Sequence, residues 1–546
     1  MRKQLFSFAS LLALILSSNP LWAQGSDSSG NVYIVGILVI IGALILVSAI
    51  LTLSENLIQI EARNSGIDTD KTDVSIFPSI SSLFNPSPPE YTNGNHVTDL
   101  KAGFDILLNG DAEKKASKGS AKRYAVRPPN FRGLAPIPRV TVTVGQEVLA
   151  GDVLFHDKKD ETIKYVAPVS GEVVEIRRGA KRSISDIIIL ADKEIKHKEW
   201  DPPSLKESSR EEIVSFLLES GGWTLINERP YDVLPSPTVV PANIFISTFD
   251  SAPLAPDLNF VVSGKEKAFQ VGIDTLARLT SGKVHLGLDA NDSGNPPNEV
   301  FTKAQNAEIH WFRGKHPYGN VGIQIHHIAP IRGGQTAWTL SVQEVISLGE
   351  LMRTGKLDSS RIIALTGAQV IEPKYLKTYV GANADELIAG NTSDRKNRII
   401  GGDVLSGRQL GKDDFLDYRT DQITIIEEGD YHEMFGWLLP IAPRPSISKT
   451  FPNSIMPNLK FDGDTNTHGE KRAFVITGQY EKVLPMNVYP QHLFKAIMMG
   501  DFEQMEGLGI YELSEEDVAL CEFVCTSKMP LQSILRDGLE MMREQS

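Results

Sequence analysis

The hydrophobic pattern of the chain changes character several times. Residues 32–53, VYIVGILVIIGALILVSAILTL, form an uncharged run that opens at Val32 and closes at Leu53. Its length and lack of charge predict one transmembrane helix over about residues 30–54. Ahead of it, residues 1–24 carry a basic start at Arg2 and Lys3, an apolar stretch over 5–16 and a cleavage-like Leu21-Trp22-Ala23, which reads as a targeting signal. Behind it, residues 55–95 turn polar and gather Ser, Asn and the prolines Pro78, Pro86, Pro88 and Pro89, the composition of an extended linker. A cleaved signal plus one span, or a retained signal counted as a second span, both end inside. The expected location is therefore the cell inner membrane, with the soluble domains cytoplasmic.

From residue 96 the pattern becomes that of a folded body. Residues 140–144, VTVTV, alternate, and Val144-Gly145-Gln146-Glu147-Val148, Gly151-Asp152-Val153-Leu154-Phe155 and Ala167-Pro168-Val169-Ser170-Gly171-Glu172-Val173 repeat a strand, turn, strand rhythm. The spacing resembles the barrel-sandwich fold of biotinyl and lipoyl domains, expected here over 96–195. In that fold a lysine at a hairpin tip carries the cofactor. The tip here, Asp157-Lys158-Lys159-Asp160, lacks apolar flanks and reads as a solvated turn. The basic run Arg177-Arg178-Gly179-Ala180-Lys181-Arg182 reads as an exposed turn open to interactions.

Over residues 196–357 helical and extended periods alternate. Ser209 with Glu212 forms a capping box ahead of an apolar helix ending at Gly221, and residues 244–249, 284–288 and 309–312 read as strands. Phe269, Ile273, Leu276 and Leu279 mark a helix between the first two strands. This βαβ order predicts a parallel-sheet, Rossmann-like α/β domain. The Gly-x-Gly-x-x-Gly turn of a dinucleotide site is missing after the first strand, where Ser251-Ala252-Pro253-Leu254-Ala255-Pro256 stands instead. A second capping box, Ser341 with Glu344, opens a helix that stops near Gly355. A small β-containing module begins at residues 361–368, RIIALTGA, and the last hundred or so residues turn helical, clearest at 493–499 and after Ser514.

Charge and cysteine content narrow the chemistry. A net charge of -13 argues against a nucleic-acid surface. Two cysteines, Cys521 and Cys525, cannot build a disulfide framework. If helical, they share one face at i and i+4, where small buried apolar residues are the first expectation. The most tempting place for chemistry is residues 316–331, HPYGNVGIQIHHIAPI, with His316, Gly319, Gly322, His326 and His327. It could hold a metal, approach a cofactor or form a buried strand and turn. As a strand it would send His326 and His327 to opposite faces, and no third and fourth ligands are spaced nearby.

Five ordered motifs carry a family resemblance: residues 316–330, HPYGNVGIQIHHIAP; 337–351, AWTLSVQEVISLGEL; 361–373, RIIALTGAQVIEP; Glu433-Met434-Phe435-Gly436-Trp437; and 517–525, DVALCEFVC. Together they resemble the A-subunit family of the Na+-translocating NADH:quinone reductases, over about residues 96–546. The resemblance implies an α+β multidomain chain: the barrel-sandwich domain, the Rossmann-like domain, a β-grasp domain of the soluble-ligand-binding type over 358–435 and a helical C-terminal domain over 436–546. It also implies kinship with the flavin-binding NADH subunit of respiratory complex I and the C subunit of the Rnf complex.

Relative to those kin, the chain lacks the Gly-rich flavin loop, its aligned turn reading Gly319-Asn320-Val321-Gly322, and two cysteines cannot supply the four thiolates of a [4Fe-4S] cluster. The resemblance thus implies a membrane-anchored subunit that binds no cofactor of its own and has neither catalytic nor metal-ligating residues. It would lie beside the membrane-embedded B-subunit and support quinone reduction coupled to Na+ export. FMN, FAD, riboflavin and iron–sulfur clusters are expected on other subunits, and the bilayer is contacted through residues 32–53. Quinone-proximal candidates, by chemistry alone, are His316, Tyr318 and His326. The alternatives are an electron-transfer protein like the Rnf or complex I relatives, and a non-enzymatic docking module.

Overall fold

Parallel strands can be joined only by crossovers, and the helices that make those crossovers bury both faces of the sheet. The computed structural model follows that rule in its central layer. It describes residues 88–546 except 159, 434–442, 449, 453–454 and 546, together with 38, 39, 41–43, 46 and 54. The chain divides into two units, residues 1–87 and 88–546. In the first, residues 38, 39, 41–43, 46 and 54 are helical. Among the described residues no helix is long and apolar enough to cross a membrane. The signal-like segment, most of the expected span and most of the linker lie outside the described residues.

In the second unit the central sheet comprises β1 (Val97–Asp99), β2 (Asn227–Arg229), β3 (Asn243–Ser247), β4 (Lys283–Asp289), β5 (Glu308–Arg313) and β6 (Ala337–Thr339). Their spatial order is β1-β5-β4-β3-β6-β2, parallel throughout except for β2. Four helices serve this layer: α1 (Arg210–Ser220), α2 (Glu266–Leu279), α3 (Val321–Ile328) and α4 (Val342–Thr354). The capping boxes at Ser209 and Ser341 start α1 and α4, and Gly221 and Gly355 end them in the left-handed conformation. Helices α2 and α4 touch backbone to backbone: a Cβ on Gly349 would come within 1.7 Å of the Ala268 carbonyl oxygen. Phe269, Ile273, Leu276 and Leu279 are all buried in this core beside the edge-to-face pair Trp223 and Trp338.

The barrel-sandwich layer lies within residues 123–191, as a four-stranded and a three-stranded sheet. In the alternating stretch at 140–144 only Arg139–Val140 pairs as a strand, and Val144 is exposed beside the Gly145 turn. The basic run is not wholly free: Arg177 bonds Asp413 at 2.6 Å and lies over the Phe415 ring. A further six-stranded sheet has the order Arg408–Gln409, Asn397–Gly401, Gln422–Glu427, Ser360–Thr366, Lys374–Tyr379 and Glu113–Lys118. Two strands from the segment ahead of residue 123 thus leave the barrel, β1 completing the central sheet and Glu113–Lys118 the other. The C-terminal layer packs α5 (Pro490–Met499), α6 (Glu515–Val524) and α7 (Leu531–Gln545) through Leu493, Phe494, Leu520, Leu535 and Leu539.

One buried charge joins these layers. Glu344 both caps α4 and accepts from Arg419 Nη1 at 2.7 Å, with Arg361 Nη2 at 3.4 Å, and its side chain and that of Arg361 are 2% and 3% exposed. Gln343 beside it exchanges two hydrogen bonds with the Ile362 backbone at 3.0 and 2.8 Å. Burial alone would raise the Glu344 carboxyl, but Arg419 and Arg361 outweigh it and hold it below the usual carboxylate range. Its folded value lies under its unfolded one, so its contribution to stability is full above that range and fades as pH falls below about 4. Glu344→Ala leaves Arg361 buried without its partner, and in urea unfolding it is expected to cost about 3 kcal/mol at pH 7, the difference from wild type shrinking at acid pH.

Candidate functional site

Ligands of parallel α/β sheets sit outside the carboxyl ends of the strands, where the crossovers diverge. In this chain that crevice is built by the ends of β3, β4 and β5 and by the loop leading into α3. A cis peptide joins His316 to Pro317 at the start of the loop. The His316 amide donates to Asp105 Oδ1 at 2.9 Å, and its carbonyl accepts from the Phe104 amide at 2.9 Å. Ser251 Oγ accepts from the Gly319 amide at 2.9 Å and lies 3.1 Å from His316 Nδ1. The Ser251 hydroxyl, with its proton and a second lone pair to spare, can partner Nδ1 in either ring tautomer and leaves Nε2 as the ring's other polar atom. That Nε2 is buried and has no hydrogen-bond partner among the described residues. Burial lowers the His316 pKa despite the opposing pull of Asp403 and Asp105, so the ring is neutral at neutral pH. Tyr318 packs on Phe249 and donates to Asp289 Oδ1 at 3.1 Å, and burial with Asp289 pushes its phenol well up.

The space that a dinucleotide would need is filled by the chain itself. Gln324, 1% exposed, lies over β4, where a Cβ on Gly287 would come within 2.0 Å of its Oε1, and its Nε2 donates to Ser247 Oγ at 2.8 Å. The first turn of α3, whose unpaired amides and dipole favour an anion, faces Asp517 of α6. A Cβ on Gly322 would stand 2.2 Å from Asp517 Oδ2, and Asn320 Nδ2 donates to the Glu516 carbonyl at 3.0 Å. Asp517 is fully buried and its carboxylate takes the Ser514 amide and hydroxyl at 2.9 Å each. A pyrophosphate there would overlap the Asp517 carboxyl group. These residues do not fit the flavin or nicotinamide nucleotide that the fold's kin would imply.

Residues 321–328 form the helix α3, so of the alternatives open from sequence the buried strand does not hold. Val321, Ile323 and Ile325 fit a two-residue period, but Val321, Ile325 and Ile328 also fit the helical one, and the parallel register of β5 and β6 in one sheet demands a crossover between them. His326 and His327 therefore do not project to opposite faces. Both reach the C-terminal layer, His326 bonding Glu512 Oε2 at 2.6 Å and the Asn487 amide at 3.0 Å, His327 the Pro485 carbonyl at 2.8 Å. The three quinone-proximal candidates thus divide: His316 and Tyr318 are buried in the crevice loop, and His326 is engaged in docking α3. Cys521 lies in α6 and Cys525 caps its end; both are buried, and Tyr480 donates its hydroxyl to Cys525 Sγ at 2.9 Å. Burial pushes the Cys521 thiol far up, away from the thiolate form that ligates metals.

A second polar cluster is not apparent from the sequence. His285 on β4 and Glu308 and His310 on β5 meet at the starts of the strands. The pattern of each strand, a polar residue amid apolar ones, is visible in the sequence, but only the pairing of β4 with β5 brings the two histidines together.

The crevice geometry has a direct test. Gly322→Ala forces a methyl against Asp517 and is expected to cost about 1–3 kcal/mol in urea unfolding. Placed in an Asp517→Ala background, where the clashing oxygens are gone, the same change is expected to cost clearly less, a coupling that a double-mutant cycle reads.

Family models match three parts of the chain: the NqrA N-terminal barrel-sandwich hybrid domain over residues 98–192, the NqrA second alpha/beta domain over 208–357 and the NQRA C-terminal domain over 362–412. The A-subunit of the Na(+)-translocating NADH-quinone reductase from Neisseria meningitidis serogroup B is 36% identical over 450 residues, 82% of this chain and 99% of that protein. Its counterpart from Alcanivorax borkumensis is 36% identical over 447 residues, 81% of this chain and 98% of that protein. Among solved structures, an NAD+-reducing [NiFe]-hydrogenase in its air-oxidized state aligns at 12% identity with a TM-score of 0.34, over 63% of this chain and 62% of that chain, a likeness too distant to carry weight. With matched domains in order and over a third of residues identical across four fifths of its length, the chain belongs to the NqrA family, the A-subunits of the Na(+)-translocating NADH-quinone reductases.

Proposed function

We propose that this chain is a membrane-anchored A-subunit that binds no redox cofactor and supports quinone reduction coupled to Na+ export, on the cytoplasmic side of the inner membrane and beside the membrane-embedded B-subunit. The observation that carries the reading is the filled crevice. Gln324 over Gly287 and Asp517 at the first turn of α3 occupy the place where a nucleotide would bind, so the α/β layer serves as a scaffold. FMN, FAD, riboflavin and iron–sulfur clusters then reside on other subunits. The uncharged run at residues 32–53 supports a tether, which raises the local concentration of the body at the bilayer.

Within that scaffold His316 is the group best suited to a quinone carbonyl. Its Nε2 is a buried ring nitrogen with no hydrogen-bond partner among the described residues, a donor in the tautomer that protonates it, and Tyr318 and Phe249 supply apolar walls nearby. Reaching it requires the loop at 316–319 to open, because His316 is only 3% exposed.

The test is made on the complex purified from membranes. Removing this chain is expected to abolish Na+-coupled quinone reduction, and a photoactivatable quinone analogue is expected to label a peptide containing residues 316–318, with labelling reduced by His316→Phe. Full coupled activity without the chain overturns the subunit role. Label confined to other peptides overturns the quinone assignment alone. A stoichiometric flavin spectrum from the isolated chain overturns the scaffold reading and favours an electron-transfer protein.

A further inference from the structure

The amino ends of the central strands carry a constellation that the crevice does not use. His285 and His310 come from neighbouring parallel strands, and Glu308 precedes His310 by two residues, so all three side chains lie on the same face of the sheet. This is the face that α3 covers. An eight-residue helix is about 12 Å long, whereas the seven residues of β4 span about 23 Å, so α3 shields only part of the face. The strand starts are left with a polar opening. Two hollows border them, one lined by His310 with His96, Thr98, Ile309 and Trp311 among others, the other by Glu308 with Lys283, Val284 and Asn306 among others.

The three side chains are already gathered and oriented as ligands. His285 Nδ1 is 2.9 Å from His310 Nε2 and 3.7 Å from Glu308 Oε2, and one ligand atom of each residue lies within 4.8 Å of the others. Ligands of a tetrahedral zinc ion at 2.0–2.2 Å stand about 3.3 Å apart, a separation that these distances bracket. Orientation comes from behind. His285 Nε2 lies 3.0 Å from Asn243 Oδ1, an acceptor that fixes the ring proton on Nε2 and leaves the Nδ1 lone pair aimed at the other two groups. Phe245 stacks on the same ring at 4.8 Å with an interplanar angle of 17°. Lys283 ion-pairs with Glu308, so the carboxylate is held at the site by a cation that a metal would replace.

We infer that His285, His310 and Glu308 form a binding site for one divalent transition-metal ion, of the zinc class, with solvent in the fourth position. Two imidazoles and a carboxylate suit Zn2+, which tolerates the open position, better than the all-oxygen preferences of Mg2+ or Ca2+. On binding, His310 changes tautomer, the proton it shares from Nε2 with His285 Nδ1 being replaced by one on its Nδ1, so the ring stays neutral and frees Nε2 for the metal, and the Lys283 ammonium swings into water. The site lies at the opposite ends of the strands from the His316 loop, so it is independent of the proposed quinone role.

The experiment is a titration of the full chain in detergent with Co2+ or Zn2+ alone. One equivalent is expected to bind. Co2+ should give the visible bands of a four-coordinate nitrogen and oxygen site, and X-ray absorption at the zinc edge should show ligands at about 2.0–2.1 Å. Glu308→Gln, at the exposed rim, and His310→Gln are each expected to weaken binding at least about tenfold, and Asn243→Ala, which frees the His285 ring, about tenfold. Lys283→Met, which removes the competing ammonium, is expected to tighten binding. The exposed His432→Gln should leave it unchanged. Absence of stoichiometric binding, or binding that Glu308→Gln and His310→Gln leave intact while circular dichroism shows a native fold, overturns the assignment. Should His310→Gln fail to fold, the Glu308→Gln and Lys283→Met pair decides, since their effects on affinity must be opposite in sign.

Discussion

The contact between the α/β layer and the second six-stranded sheet depends on taking Glu344 out of water at a place where three segments meet. Its carboxylate starts α4 of the α/β layer and meets Arg361 and Arg419 from the sheet that contains Ser360–Thr366. Arg419 also donates to the carbonyls of Thr224, Leu225 and Ile226 behind α1, and Tyr418 bonds the Thr224 hydroxyl at 2.9 Å. A buried ion set of this kind is costly to assemble and adds little net stability over an apolar substitute, whereas removing one partner leaves a buried charge uncompensated. It joins the two sheets, and Asp403, in the loop after Asn397–Gly401, comes near enough to the crevice to act on His316.

In the crevice the chain's own side chains occupy the strand ends where nucleotide-type sheets place their ligands. Gly287 and Gly322 keep backbone close to the strand ends, the property that lets such sheets approach a phosphate, yet here the closeness receives the carboxamide of Gln324 and the carboxylate of Asp517. The C-terminal layer docks on this end of the sheet, Asp517 against Gly322 and residues 485 and 512 against His327 and His326.

Elements defined by local chemistry were legible in the sequence. The capping boxes at Ser209 and Ser341 and the glycine stops at 221 and 355 stand where the local pattern predicts, because caps depend on residues three apart. The three central parallel strands were legible for a related reason, as apolar runs buried on both faces. The segment at 321–328 was not, since eight residues with apolar positions at 321, 323, 325 and 328 satisfy both periods and only the sheet's topology decides. The chemistry of His285 and His310 was hidden for the same kind of reason: the strands are joined through a long connection, and nothing local records that they become neighbours.

The two short strands ahead of the barrel have a bearing on how the protein is made. Asp99 is bonded to Arg313, 214 positions later, and Glu113–Lys118 pairs with Lys374–Tyr379. A ribosome therefore releases these edges long before their partners exist. The barrel, whose strands all lie within residues 123–191, can close in the meantime. Contacts of such long sequence separation form late and leave open strand edges exposed during synthesis. Both edges are short and polar, with Glu113, Lys114, Lys115 and Lys118 along one of them, which suits segments that must wait in solution without pairing to a neighbouring chain.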